Sequence, residues 1–210
     1  MKNMMKAVVL TKPTKGEDVV LSEIEVPEVK PGWVLVKVKA FGMNHSEQIL
    51  REFEIENGYI QKPVIPGIEC VGEIVDPSDS GWQVGQKVVA LMGGMGRSFN
   101  GSYAEYDLLP VHHVFPVESE LSAIPETYFT AWGSLFQCLR LTKDDKLLVR
   151  GATCALGYVA IQIAKAYGCT VLGTTHRESK LQLLAEAGCD ECILDDGDIR
   201  GKVSGVTKAL

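Results

Sequence analysis

Apolar and polar residues alternate along this chain with two different periods, and the change falls near residue 122. Before it the period is two. From Trp33 to Ala40, Val34, Val36 and Val38 alternate with Leu35, Lys37 and Lys39, which predicts a half-buried strand. Similar short runs cover Ala7 to Leu10, Cys70 to Val75, Lys87 to Leu91, Gly101 to Leu108 and His113 to Val117, separated by Gly- and Pro-rich turns. One short helix is expected over Ser46 to Arg51. Many short strands with few helices predict a small β-barrel or sandwich.

After residue 122 the period lengthens. Tyr128 to Arg140 reads as a helix and Lys146 to Arg150 as a short apolar strand. Ala155 to Tyr167 carries apolar residues at 156, 159, 160, 163, 164 and 167, the stripe of a helix packed on a sheet, and Gly168 ends it. Thr170 to Thr174 predicts a strand, Ser179 to Ala187 a helix stopped by Gly188, and Glu191 to Leu194 another strand. The order β-α-β-α-β is the mononucleotide-binding half of a doubly wound parallel sheet. Two domains are therefore expected, over 1–122 and 123–210.

Candidate chemistry sits between the first strand and helix of that second region, in Arg150-Gly151-Ala152-Thr153-Cys154-Ala155-Leu156-Gly157. A pyrophosphate can rest on backbone N–H groups at a helix N-terminus when small residues let it approach. Thr153, Cys154, Ala155 and Leu156 are the candidate contacts, although only Gly151 and Gly157 match the glycine fingerprint. A strand–helix turn that binds nothing is the alternative. At the end of the next strand an NAD site places an acidic residue on the ribose 2′-OH. This chain has Thr174-Thr175-His176-Arg177 instead. Hydroxyls and Arg177 can accept a 2′-phosphate, so NADP(H) is favoured, with Thr175 and Arg177 as its contacts. Arg177 beside Glu178 could alternatively open a solvated helix.

Composition narrows the classes. The 210 residues are 46% hydrophobic and 23% charged, values of a globular protein with a real core. Their 21 basic and 27 acidic residues leave a net charge of −6, which argues against nucleic acid as a partner. No run approaches the roughly 20 apolar residues of a membrane span. The N-terminus shows no signal-peptide core, so a cytoplasmic protein is expected. Six cysteines, at 70, 138, 154, 169, 189 and 192, lie in apolar or helix-and-strand stretches and read as reduced, buried thiols. Cys189 and Cys192 form a CxxC, yet it follows a helix and no second CxxC exists for a four-cysteine zinc site. Asp195-Asp196-Gly197-Asp198 reads as a solvated turn, and His112-His113 as a pair pointing to opposite faces.

Several ordered segments resemble the medium-chain dehydrogenase/reductase superfamily, in its quinone-oxidoreductase-like branch. They are Pro31 to Val38, Gly42-Met43-Asn44-His45-Ser46-Glu47, Pro66 to Val75, Val84 to Val88, Gly101 to Tyr106 and Gly157 to Lys165. The resemblance implies a GroES-like β-barrel catalytic domain followed by a Rossmann domain, with cofactor and substrate in the cleft between them. It places Asn44 near the nicotinamide ribose and Thr130 near the nicotinamide or phosphates. Zinc alcohol dehydrogenases of the superfamily carry a Cys where this chain has Asn44 and a His where it has Ile68, so no metal is expected. Ser46 takes the place of their hydroxyl relay residue. The implied reaction is hydride transfer from NADPH to a quinone or α,β-unsaturated carbonyl. A zinc-dependent alcohol dehydrogenase and a non-catalytic nucleotide-binding or interaction fragment are the competing classes. Family members are longer than this chain, which stops where a fourth sheet strand is expected. The Rossmann domain is therefore read as partial, and the full-length parent as a homodimer.

Overall fold

The computed structural model describes residues 3–118 and 125–209. It divides into two compact units, Met1–Glu126 and Thr127–Leu210. The boundary expected between residues 122 and 123 lies outside the described residues.

The first unit is built on a curled five-stranded antiparallel sheet. Its strands are β3 (Trp33–Ala40), β4 (Glu69–Asp76), β5 (Lys87–Leu91), β6 (Tyr106–Pro110) and β7 (Val114–Pro116), in the order β6-β3-β4-β5-β7. Register breaks in β3 at Leu35/Val36 and Val38/Ala40 bend the sheet. Alternation then sends Val34 and Val36 into a core with Ile74, Ala90 and Leu109. A separate ribbon pairs β1 (Met4–Val8) with β2 (Leu21–Glu25). β2 was not expected from the sequence: neither of its faces is buried, so its alternation carries little apolar signal. The short helix is α1 (His45–Ile49), and it continues into a wide turn of π type over Leu50–Glu54.

The second unit carries a three-stranded parallel sheet in the order β10-β9-β8, from β8 (Lys146–Val149), β9 (Thr170–Thr175) and β10 (Glu191–Leu194). The expected helix from Tyr128 to Arg140 is instead α2 (Pro125–Trp132) followed by a wide turn over Gly133–Cys138. Helix α3 (Ala155–Tyr167) buries Val159, Ile161 and Ala164, and α4 (Leu181–Ala187) buries Leu184. Both end on left-handed glycines, Gly168 and Gly188. A further helix, α5 (Ile199–Ala209), follows β10. Gly201, Gly205 and the β-branched residues around them have low helix propensity, which hid it. Asp198 Oδ1 accepts the Gly201 N–H at 3.1 Å and so supplies its N-terminal cap.

Three local readings are corrected by these contacts. The six thiols are all free, but only Cys70 and Cys169 are buried; Cys138 and Cys154 are exposed. Asp195 is no solvated turn residue: it is 6% exposed and ion-paired with Arg150. His112 and His113 lie on a tight turn, Val111–His113, that brings their rings 4.3 Å apart instead of sending them to opposite faces.

Candidate functional site

The phosphate loop leaves β8 at Arg150 and enters α3 at Ala155. Two bonds from the end of β9 hold its shape. Gly151 N–H donates to the Thr174 hydroxyl at 3.2 Å, and Ala152 N–H donates to the Thr174 carbonyl at 2.9 Å. Gly157 is required by packing: a Cβ there would stand 2.6 Å from the Ala152 Cα. The helix therefore lies directly on the loop, and its first N–H groups open outward. Cys154 caps α3, its sulfur accepting the Gly157 N–H at 3.3 Å. Ala155 and Leu156, the first two helical residues, carry N–H groups with no intrahelical acceptor. Cys154, Ala155 and Leu156 are exposed and Thr153 is half-buried, so a pyrophosphate has access to this cradle.

The end of β9 divides the expected ribose contacts. Thr175 is buried, 2% exposed, and its hydroxyl accepts the Arg177 N–H at 3.3 Å. Arg177 itself is exposed, as are His176 and Glu178. No carboxylate ends β9. Asp195, a buried carboxylate, directly follows β10 and takes a bond from Arg150 Nη2 at 2.9 Å. That guanidinium holds the Asp195 carboxyl below the ordinary carboxylate range. Thr130 lies on α2, where its carbonyl accepts the Ser134 hydroxyl at 2.8 Å.

Asn44 belongs to the first unit and precedes α1. Its backbone N–H donates to Glu47 Oε2 at 2.7 Å, part of a capping box at the start of α1. Its side-chain Nδ2 donates to Glu69 Oε1 at 3.1 Å. Both carboxylates are buried, Glu47 at 2% and Glu69 at 1% exposure. Glu47 also accepts the Ile68 N–H at 3.1 Å and the Tyr103 hydroxyl at 2.7 Å. The second oxygen of Glu69 accepts the Glu126 N–H at 2.9 Å. Burial pushes the Glu47 pKa up, partly offset by these donors. The Ser46 hydroxyl is buried with no hydrogen-bond partner among the described residues.

Glu47, Glu69, Thr174 and Arg150 went unassigned as structural partners in the sequence. For Glu47 the capping spacing was the available signal. For Arg150 and Asp195 it was their shared position, each the first residue after a parallel strand. Among the described residues, no group of three or more His, Cys, Asp or Glu is placed to hold a metal ion. At the two positions in question stand the Asn44 amide, already bonded to Glu69, and the buried aliphatic Ile68, which offers a metal no donor atom. That set does not fit zinc, which takes thiolate, imidazole or carboxylate.

A unit with a curled antiparallel half-barrel, followed in the chain by one with a parallel sheet and a phosphate-type loop, defines a dehydrogenase-type, nucleotide-binding architecture. Residues 30–119 match the family model for the alcohol dehydrogenase GroES-like domain, and residues 155–209 that for zinc-binding dehydrogenases. The quinone oxidoreductase of Homo sapiens is 33% identical over 180 residues, 81% of this chain and 52% of the relative. The chain thus spans about half the length of that protein. Two solved structures share the fold. An NAD-dependent alcohol dehydrogenase superposes with a TM-score of 0.88 at 28% identity, covering 97% of this chain and 68% of its own. The quinone oxidoreductase from Coxiella burnetii does so at 0.84 and 25%, covering 96% and 65%. The chain belongs to the medium-chain dehydrogenase/reductase superfamily, in its quinone-oxidoreductase-like branch.

Proposed function

We propose that this chain is part of a zinc-free oxidoreductase that uses NADPH to reduce a quinone or an α,β-unsaturated carbonyl. The observation that carries the reading is the open N–H cradle at Ala155 and Leu156, set beside a β9 terminus that presents Arg177 and no carboxylate. When bound, NADPH supplies the hydride. The chain's part is to bind and orient. Thr153 to Leu156 hold the pyrophosphate, and Arg177 takes the 2′-phosphate.

On this reading Asn44 and Thr130 contact the nicotinamide end. The Glu69 bond to Asn44 fixes which way the amide faces, so one side chain presents a defined donor and acceptor. An activated acceptor then needs orientation and hydrogen bonds to the developing oxyanion, with no Lewis acid from the protein. The human and Coxiella relatives, both named quinone oxidoreductases, support the acceptor class. The reading also places the protein in a reducing, cytoplasmic compartment, supported by six free thiols, and takes its full-length parent as a homodimer.

The test is NADPH oxidation with a panel of quinones and enals, by this chain and by a longer form of the protein. The same metal-analysed samples are used for both. Turnover by the longer form, with metal well below stoichiometric, is the expected result. Turnover on no acceptor, or activity that tracks stoichiometric zinc, overturns the reading.

A further inference from the structure

Arg150 and Asp195 stand at the ends of strands that are not neighbours. In the sheet β9 lies between β8 and β10, so their strands are about 10 Å apart at an ordinary spacing of about 4.8 Å. The register sets the level of each residue. Val149 lies opposite Gly173, and Leu194 opposite Thr175. Arg150 therefore leaves β8 level with Thr174, and Asp195 leaves β10 level with His176. For Nη2 of Arg150 to reach Asp195 Oδ2 at 2.9 Å, its side chain must cross over the terminus of β9. That is where a Rossmann-type sheet reads the ribose 2′ substituent.

Its surroundings point the same way. Asp195 is 5% exposed at its side chain, whereas the Arg150 side chain is 64% exposed. One edge of the guanidinium is anchored to the carboxylate and the rest faces solvent. Asp195 also orders the adjoining residue, because the His176 Nδ1 lies 2.9 Å from its carbonyl oxygen. The Asp195 carboxylate is one strand away from the reading position and is faced by Arg150 at 2.9 Å and by His176 Nε2 at 4.0 Å, while Glu178 lies exposed beyond Arg177.

Building on the NADPH reading above, we infer that Arg150, positioned by Asp195, is a second reader of the 2′-phosphate. Selection for the phosphorylated cofactor then rests on two arginines from two strands, Arg150 after β8 and Arg177 after β9. Arg150 contacts the phosphate; Asp195 is a positioning residue that acts through it. A guanidinium already held at one edge loses little freedom on binding, which suits a planar fork for phosphate oxygens.

The probes are 2′,5′-ADP and 5′-AMP, which differ in the 2′-phosphate and need only the adenosine end of the site. Titration calorimetry on the 210-residue chain at fixed ionic strength compares wild type with Arg150→Gln, Arg150→Lys, Asp195→Asn and Arg177→Ala. Arg150→Gln is expected to weaken 2′,5′-ADP about tenfold or more while 5′-AMP changes less than twofold. Its salt dependence for 2′,5′-ADP should also flatten, since one phosphate contact is gone. Arg150→Lys should recover part of the discrimination. Asp195→Asn should lower discrimination without removing a cation, a result that mere loss of fold cannot mimic when 5′-AMP binding is kept. Equal losses for both ligands, or none for either, overturn the inference. If 2′,5′-ADP binding depends on Arg177 and not on Arg150, the NADPH reading stands and this inference falls. If wild type binds neither ligand, both fall.

Discussion

Nη2 of Arg150 meets Oδ2 of Asp195 at 2.9 Å, tying the first strand of the parallel sheet to the third across the end of the second. The residues are 45 apart in sequence. Each lies just past a strand, so neither belongs to the hydrophobic pattern that built the sheet. The pair closes the C-terminal edge of the parallel sheet.

That ion pair sets a pH dependence. Arg150 depresses the Asp195 pKa, so the stabilisation from its charged form is complete above the unfolded value near 3.8. It is lost as the pH falls through the lower folded value. Wild type should therefore exceed Asp195→Asn in stability at pH 6 to 7, and the gap should close below about pH 4. Urea titrations of both proteins across that range test it. A gap that widens on acidification contradicts the assigned pair.

Asp107 predicts the opposite sign. It faces the core of the first unit at 1% exposure, and apart from the adjacent Leu108 N–H no donor among the described residues lies near either carboxyl oxygen. Burial drives its pKa up, opposed by the Leu108 N–H. With a raised folded pKa, the ionised form opposes folding once the pH rises through that value. Asp107→Val should stabilise the protein at neutral pH by about 1–3 kcal/mol and by less in acid. Loss of stability at pH 7 on that substitution would show that the carboxyl is satisfied.

Gly157→Ala is expected to damage the loop. The added methyl overlaps the Ala152 backbone, which cannot rotate away as a side chain would. Overpacking of this kind costs about 1–3 kcal/mol. It should also weaken NADPH, because α3 must lift off the loop that orients Ala155 and Leu156. Thermal unfolding with and without NADPH measures both effects. A variant with unchanged melting temperature and unchanged affinity contradicts the close approach.

The two periods of hydrophobicity made both units legible, because Val34 and Val36 on a strand of one, and Val159 and Ala164 on a helix of the other, owe their burial to regular spacing. The phosphate loop was legible for a related reason: its position between strand and helix is a local property. The polar partnerships were not. Asn44 with Glu69 joins residues 25 apart, Arg150 with Asp195 residues 45 apart, and Tyr103 with Glu47 residues 56 apart. Such bonds depend on which turns meet in space, and polar residues at turns carry no period. Thr174 shows the consequence. Its hydroxyl, outside the hydrophobic pattern, accepts the N–H of Gly151 from a loop 23 residues away.

Arg177→Ala should discriminate between the cofactors. Its side chain is exposed beside the buried Thr175, and a charge-assisted contact to phosphate is worth about 1.5–3 kcal/mol. NADPH affinity should fall by about 10- to 150-fold while NADH affinity stays nearly constant. Fluorescence titrations of wild type and Arg177→Ala with each cofactor at fixed ionic strength give the comparison. Equal losses for the two cofactors would assign Arg177 to the fold alone.

The most direct measurement is the ratio of NADPH to NADH dissociation constants for the unmodified chain, taken at low and at physiological salt. A β9 terminus with Arg177 and no carboxylate, flanked by the anchored Arg150, predicts tighter NADPH binding, with a preference that shrinks as salt screens the phosphate. Tighter binding of NADH, or equal binding of both at low salt, would contradict the account.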